Sequence, residues 1–161
     1  MFDQLQPLHG YGALEREWLM AAATLHDIGT AIHYNDHHKH SQMLIASSRL
    51  PGFSPREVAM IALLTRYHRK GSPDGGAFES LLQKGDEEKL RHLAAILRIS
   101  EYLERGRSGV VRDVQARFDK KQLTLTLIAE NAEVELWVTR RSGVELVESA
   151  FEREVVLESA S

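Results

Sequence analysis

Ser54-Pro55-Arg56-Glu57, followed by Val58-Ala59-Met60-Ile61-Ala62-Leu63-Leu64-Thr65-Arg66-Tyr67-His68-Arg69, is the stretch on which the reading of the fold turns. A Ser at the N-cap, a Pro at the first helical position and a Glu three residues after the Ser form a capping box. The helix this box opens is expected to run to about Arg69. Val58, Ile61, Ala62 and Thr65 line one side of it, with Leu64 and His68 beside them.

Working outward, the same helical spacing recurs. Over 14–27, Leu14, Trp18, Leu19, Ala22 and Leu25 share a face, and Gly29 stands where a C-terminal cap is expected. A second helix is expected over 37–49, broken by Leu50-Pro51-Gly52-Phe53. Residues 71–85 read as a loop, pinned by a helical turn at Phe78, Leu81 and Leu82. Asp86 opens a long helix to about Arg105, with Leu90, Leu93, Ala94, Leu97 and Glu101 on one stripe. After Gly106 the period changes to two. Residues 110–118 and 122–129 read as a β-hairpin around Asp119-Lys120-Lys121. Residues 131–151 return to helix, broken at Gly143, and 154–158 form a last strand. The expected fold is mainly α: a helical domain over 1–106 and a small α+β tail over 107–161, packed on it.

Composition narrows the class. With 161 residues, 43% hydrophobic and 27% charged, the chain is an ordinary globular domain. A net charge of -3 argues against a general nucleic-acid coat. The absence of cysteine excludes disulfides and thiolate zinc sites. No apolar run reaches the ~18 residues of a membrane span, and Met1-Phe2-Asp3-Gln4-Leu5 shows no secretory signal. A cytoplasmic protein without membrane contact is expected. Trp18 and Trp137 both sit in apolar patterns and are read as core.

The histidines stand out. Of eight, five fall at His26, His33, His37, His38 and His40, where a uniform spread would put fewer than one. Four groupings can carry chemistry. His26-Asp27 at a helix end can hold a metal or serve structure alone. In Asp36-His37-His38-Lys39-His40-Ser41, His37 and His40 share a helical face. They can hold a metal or a phosphate, or Asp36 can simply cap a solvated helix. Arg66-Tyr67-His68-Arg69-Lys70 can clamp phosphate or merely complement a helix C-terminus. Glu101 on an apolar stripe needs a metal or an Arg partner, Arg98 and Arg105 being near. There is no Walker or Rossmann loop, no Gly-x-Ser-x-Gly and no His-Glu-x-x-His.

The order of these motifs carries a resemblance. Leu25-His26-Asp27-Ile28-Gly29 resembles the signature of the HD superfamily of metal-dependent phosphohydrolases. His37-His38-Lys39-His40-Ser41, Leu50-Pro51-Gly52-Phe53-Ser54, Arg66-Tyr67-His68-Arg69-Lys70 and Leu93-Ala94-Ala95-Ile96-Leu97-Arg98 are similar to the C-terminal domain of the exopolyphosphatase / guanosine pentaphosphate phosphohydrolase (Ppx/GppA) family. That resemblance runs in register over nearly the whole chain. It implies an HD-like helical core over 1–106. It also implies that the family's hydrolytic centre lies in N-terminal actin-like domains, outside these residues.

The function the resemblance implies is binding of polyphosphate or related phosphate anions through His37, His38, Lys39, His40, Arg66, His68, Arg69 and Lys70. The implied metal set is His26, Asp27 and Glu101, for a divalent Mn, Fe, Ni, Zn or Mg, with His40 and His68 as further donors. Two departures from the HD pattern are visible. The first metal-binding His belongs to a helix before the segment matching Phe2–Leu5 and is expected to be missing, and His9 does not align with it. Glu101 stands where HD enzymes use Asp. Two alternatives remain: an HD-type phosphohydrolase acting on a nucleotide or phosphate ester, and a dimerisation or docking module with an exposed apolar patch. The expected partners are a phosphate ligand, a separately encoded catalytic domain and a second copy in a homodimer.

Overall fold

The computed structural model describes residues 1–106, 109–131 and 133–160. The element order is a 3-10 turn at Asp3–Leu5, α1 (Gln6–His9), α2 (Ala13–Leu25), a 3-10 turn at Ile28–Ala31, α3 (His37–Ser47), α4 (Pro55–Tyr67), a 3-10 turn at Gly76–Leu81, α5 (Asp86–Leu103), β1 (Asp113–Phe118), β2 (Gln122–Ile128), α6 (Glu133–Ser142), α7 (Glu145–Phe151) and β3 (Glu154–Ala160). The fold is mainly helical with a small sheet towards its C-terminus, as the periodicities predict. The chain divides into two units, 11–97 and 1–10 with 98–161. The boundary expected after residue 106 abuts residues 107 and 108, which lie outside the described residues.

In the unit spanning 11–97, α4 is the central helix, with α2 and α3 packed on it. Its capping box is present in both directions. Glu57 N–H donates to Ser54 Oγ, and Ser54 N–H donates to Glu57 Oε2 at 2.7 Å. Ala59 through Thr65 are all buried, so this helix is apolar on nearly every side. That is the pattern of a helix enclosed by others rather than lying on a surface. Trp18 and Ala22 from α2 and Ile45 from α3 are also buried.

Beside Trp18 sits a closed polar knot. Arg56 makes two parallel bonds to Asp86, Nε to Oδ2 at 2.7 Å and Nη2 to Oδ1 at 2.6 Å. The guanidinium also lies 5.3 Å from the Trp18 ring centre, and Trp18 Nε1 donates to Glu57. Asp86 is 0% exposed. Burial alone would raise its pKa, but the Arg56 fork and the Gln83 N–H hold the carboxyl below its ordinary value. Asp86 is therefore an ion-pair anchor as well as the first residue of α5.

In the other unit, β2 is the central strand of a three-stranded sheet. It pairs antiparallel with β1, from Asp113↔Ile128 to Phe118↔Leu123, and parallel with β3, from Gln122↔Glu154 to Ile128↔Ala160. The parallel pairing requires a crossover, which α6 and α7 supply. Leu123, Leu125 and Leu127 are buried on one face of β2. Side chains occupy both sheet edges. The Gln4 amide bonds Val114 O and Ala116 N on β1. Glu148 accepts from Val155 N and Arg140 donates to Leu157 O on β3. Edges tied up in this way are poor templates for a further strand.

Two sequence expectations are corrected. Trp137 is 61% exposed and stacked by Arg141, so it is not core. Gly29 does not cap α2, which ends at Leu25. It sits in a 3-10 turn, where an added Cβ would fall 2.1 Å from His37 O and 2.4 Å from Ser41 N. The glycine is needed because the α3 backbone passes against it.

Candidate functional site

The close approach at Gly29 positions the site. Ser41 Oγ accepts from Gly29 N–H at 2.9 Å and donates to the His26 carbonyl at 2.6 Å. One α3 hydroxyl thus clamps the turn that carries His26 and Asp27. On the other side α3 packs against α4, which presents His68 at its C-cap. Three separate segments therefore deliver histidines to one place.

The geometry there is convergent. Asp27 Oδ1 lies 3.2 Å from His37 Nε2, 3.7 Å from His26 Nε2 and 3.9 Å from His68 Nε2. His37 Nε2 and His68 Nε2 are 3.3 Å apart. His26, Asp27 and His68 each offer a donor atom within 4.8 Å of the others.

The opposite ring nitrogens fix the proton positions. His26 Nδ1 donates to Ala23 O at 2.7 Å, His37 Nδ1 to Tyr34 O at 2.9 Å and His68 Nδ1 to Thr65 O at 2.7 Å. A carbonyl can only accept, so each Nδ1 carries a hydrogen and each ring turns its Nε2 inward. Three imidazole nitrogens and a carboxylate thus converge on one place, a donor set suited to positive charge. Imidazoles oriented through Nδ1–H to a carbonyl are the donor arrangement a divalent ion requires. On that observation the residues present fit a metal.

Cations flank the clustered histidines along the chain. Lys39 Nζ is 3.0 Å and Lys70 Nζ 3.7 Å from Asp36. The Arg69 guanidinium lies 5.8 Å from the Tyr34 ring centre, and Arg66 lies over Tyr67. His38 is 0% exposed, and neither of its ring nitrogens has a hydrogen-bond partner. Burial, then the charges of Arg66 and Lys70, push its pKa down to about 4, so it is neutral at pH 7.

The structure thus brings His26 and Asp27 together with His37 and His68, and draws Lys39 and Lys70 to a shared acid. The sequence spacing offered His37 as a metal or phosphate contact together with His40, not together with Asp27. Its pairing with Asp27 depends on the Gly29–Ser41 contact, which no spacing rule reveals. His40 turns Nδ1 to His33 O at 3.3 Å instead. His9 packs on Phe2, and its Nε2 donates to the Phe2 carbonyl. Glu101 lies half-buried in the last turn of α5, within the other unit, and is not one of the three clustered donors.

A helical domain holding a His/Asp cluster, with Lys and Arg beside its histidines in the sequence, is the class these observations define. The chain belongs to the Ppx/GppA family: the family model described as Ppx/GppA phosphatase, domain III, matches residues 1–142. Two similar proteins are both named guanosine-5'-triphosphate,3'-diphosphate pyrophosphatase. The one from Aeromonas salmonicida (strain A449) is 34% identical over 134 residues, covering 78% of this chain and 25% of the relative. The one from Pseudoalteromonas translucida (strain TAC 125) is 34% identical over 85 residues, covering 53% and 16%. The chain therefore spans about a quarter or less of the length of these curated relatives. Among the described residues, no helix is long and apolar enough to cross a membrane.

Proposed function

We propose that this domain grips phosphate-chain anions, polyphosphate or a nucleotide polyphosphate. In this reading a divalent ion is held by His26, Asp27, His37 and His68, with Lys39, Arg66, Arg69 and Lys70 as the surrounding cations. The observation that carries it is the convergence of three Nε2 atoms on the Asp27 carboxylate, each ring oriented by a backbone carbonyl. When bound, the ion supplies a fixed positive charge and Lewis acidity towards phosphate oxygens. Asp27 and the three imidazoles orient that charge, and the Lys and Arg side chains add contacts along the chain of phosphates. The HD-like motif order supports the metal reading. The relatives' names support a phosphate-anhydride ligand. Hydrolysis in the longer proteins would then belong to the part this chain does not match.

Isothermal titration with tripolyphosphate, with and without manganese, tests the proposal. The expected result is binding that weakens at least tenfold when manganese is withdrawn and falls steeply with added salt. Equal binding under both conditions contradicts it. A second reading, in which the site itself hydrolyses a phosphate ester, is favoured by the partial exposure of Asp27, which leaves the cluster open to a substrate. The two readings separate on release of inorganic phosphate, which the first predicts to be absent.

A further inference from the structure

We propose that the Asp36 carboxylate is an internal stand-in for a phosphoryl group: it sits in a phosphate seat formed by Lys39, Lys70 and His38 and is displaced when the ligand enters. The inference rests on the phosphate-binding reading above and adds a built-in competitor to it.

The first observation is where Asp36 points. It occupies the N-cap of α3, but its side chain makes no cap hydrogen bond. An Asp at this position ordinarily accepts from the free N–H groups of the first turn. Here the backbone is left-handed, with φ 57° and ψ 22°, a conformation a non-glycine residue adopts at some cost. The carboxylate is turned instead towards three groups, two on α3 and one just beyond the end of α4. These are Lys39 Nζ at 3.0 Å, Lys70 Nζ at 3.7 Å and His38 Nε2 at 3.9 Å.

The second observation is His38. It is fully buried, both ring nitrogens lack a partner, and its Nε2 stops 3.9 Å short of Asp36 Oδ1. A buried donor left unmade is costly and calls for an explanation. The carboxylate has two oxygens and spends one of them, Oδ2, on Lys39. A phosphoryl group has three, arranged tetrahedrally. It can meet both lysines and the His38 N–H together, which the planar carboxylate fails to do.

The third observation is charge. Asp36 places its carboxylate 3.0 Å from Lys39 Nζ and 3.7 Å from Lys70 Nζ, so it competes with any anion for both lysines. Displacement frees the two cations and lets the strained residue relax. The seat then answers to anions that outbid one carboxylate, which favours a multiply charged phosphate chain over a single weak anion such as chloride.

The test is Asp36→Asn, with Asp36→Gly alongside. Both residues tolerate the left-handed backbone, so folding is preserved, and the glycine also removes the carbonyl oxygen that Asn could leave on Lys39. Binding of tripolyphosphate is measured by isothermal titration for wild type and both variants in the same manganese buffer. The expected result is roughly tenfold tighter binding in both variants, the gain of about one freed charge-assisted contact. Wild type that binds while neither variant binds more tightly overturns the stand-in role and leaves the phosphate reading intact. Absence of binding in all three proteins overturns both.

Discussion

Arg56 and His68 stand at opposite ends of α4, and their surroundings are built in opposite ways. At the N-terminal end the charges close on each other. Arg56 presents a fork to a fully buried Asp86, and Trp18 covers the guanidinium. Arg56 Nε and Nη2 and Trp18 Nε1 each meet a carboxylate oxygen. At the C-terminal end several groups share one carboxylate. His68, His37 and His26 turn Nε2 towards Asp27, and His38 is buried with neither nitrogen hydrogen-bonded. Both regions place polar groups where burial penalises them. The first is a bidentate ion pair that holds the fold together, whereas the second gathers metal-ligating groups around one carboxylate, the arrangement the proposed ion would complete.

The contrast can be broken first at the closed end. Arg56→Met leaves the Asp86 carboxylate buried and unpaired, a loss of about 3–5 kcal/mol. Thermal melting should show a fall of roughly 10 °C or more, and Asp86→Leu added to it should recover much of that fall. An unchanged melting temperature in the single variant would remove the pair from the account of the fold.

A smaller effect sharpens the open end. The His38 pKa lies near 4 in the folded chain, against an ordinary 6.5. Between those values the unfolded chain takes up the proton and the folded one does not. This residue's contribution to stability therefore falls as the pH drops from about 6.5 towards 4. Asp86 acts in the same sense but at lower pH, because its carboxyl is held below the ordinary range and its contribution is lost only as it protonates. Melts at pH 7.5 and pH 5 should show a larger loss for wild type than for His38→Leu. At pH 7.5 that variant should match or exceed wild type, because it removes two orphaned polar atoms. Identical pH dependence in the two proteins would refute the assignment.

Local signals made the helices legible. The Ser54–Glu57 box, the apolar spacing around Trp18 and the alternation from Leu123 to Leu127 each act within a few residues, and each gave an element within a few residues of where it stands. What depends on distant partners was not legible. The Arg56–Asp86 fork joins residues thirty positions apart. β3 read as a strand, but its parallel pairing with β2 follows from the α6–α7 crossover. Trp137 sits in an apolar pattern yet faces solvent. In the candidate site the histidine cluster was visible as composition, but its division of labour was not. His37 read as a metal or phosphate contact, and its place beside Asp27 was not legible, because it depends on Gly29 letting α3 approach and on Ser41 tying the turn down.

The central claim is that the open end of α4 is completed by a divalent ion. Elemental analysis of tag-free protein, purified without chelator and then dialysed against manganese or zinc, tests it directly. The account predicts about one equivalent of ion per chain, lost in Asp27→Ala and in His68→Ala while both variants remain folded by circular dichroism. No bound ion in wild type at millimolar manganese or zinc, or undiminished binding in both variants, would contradict it.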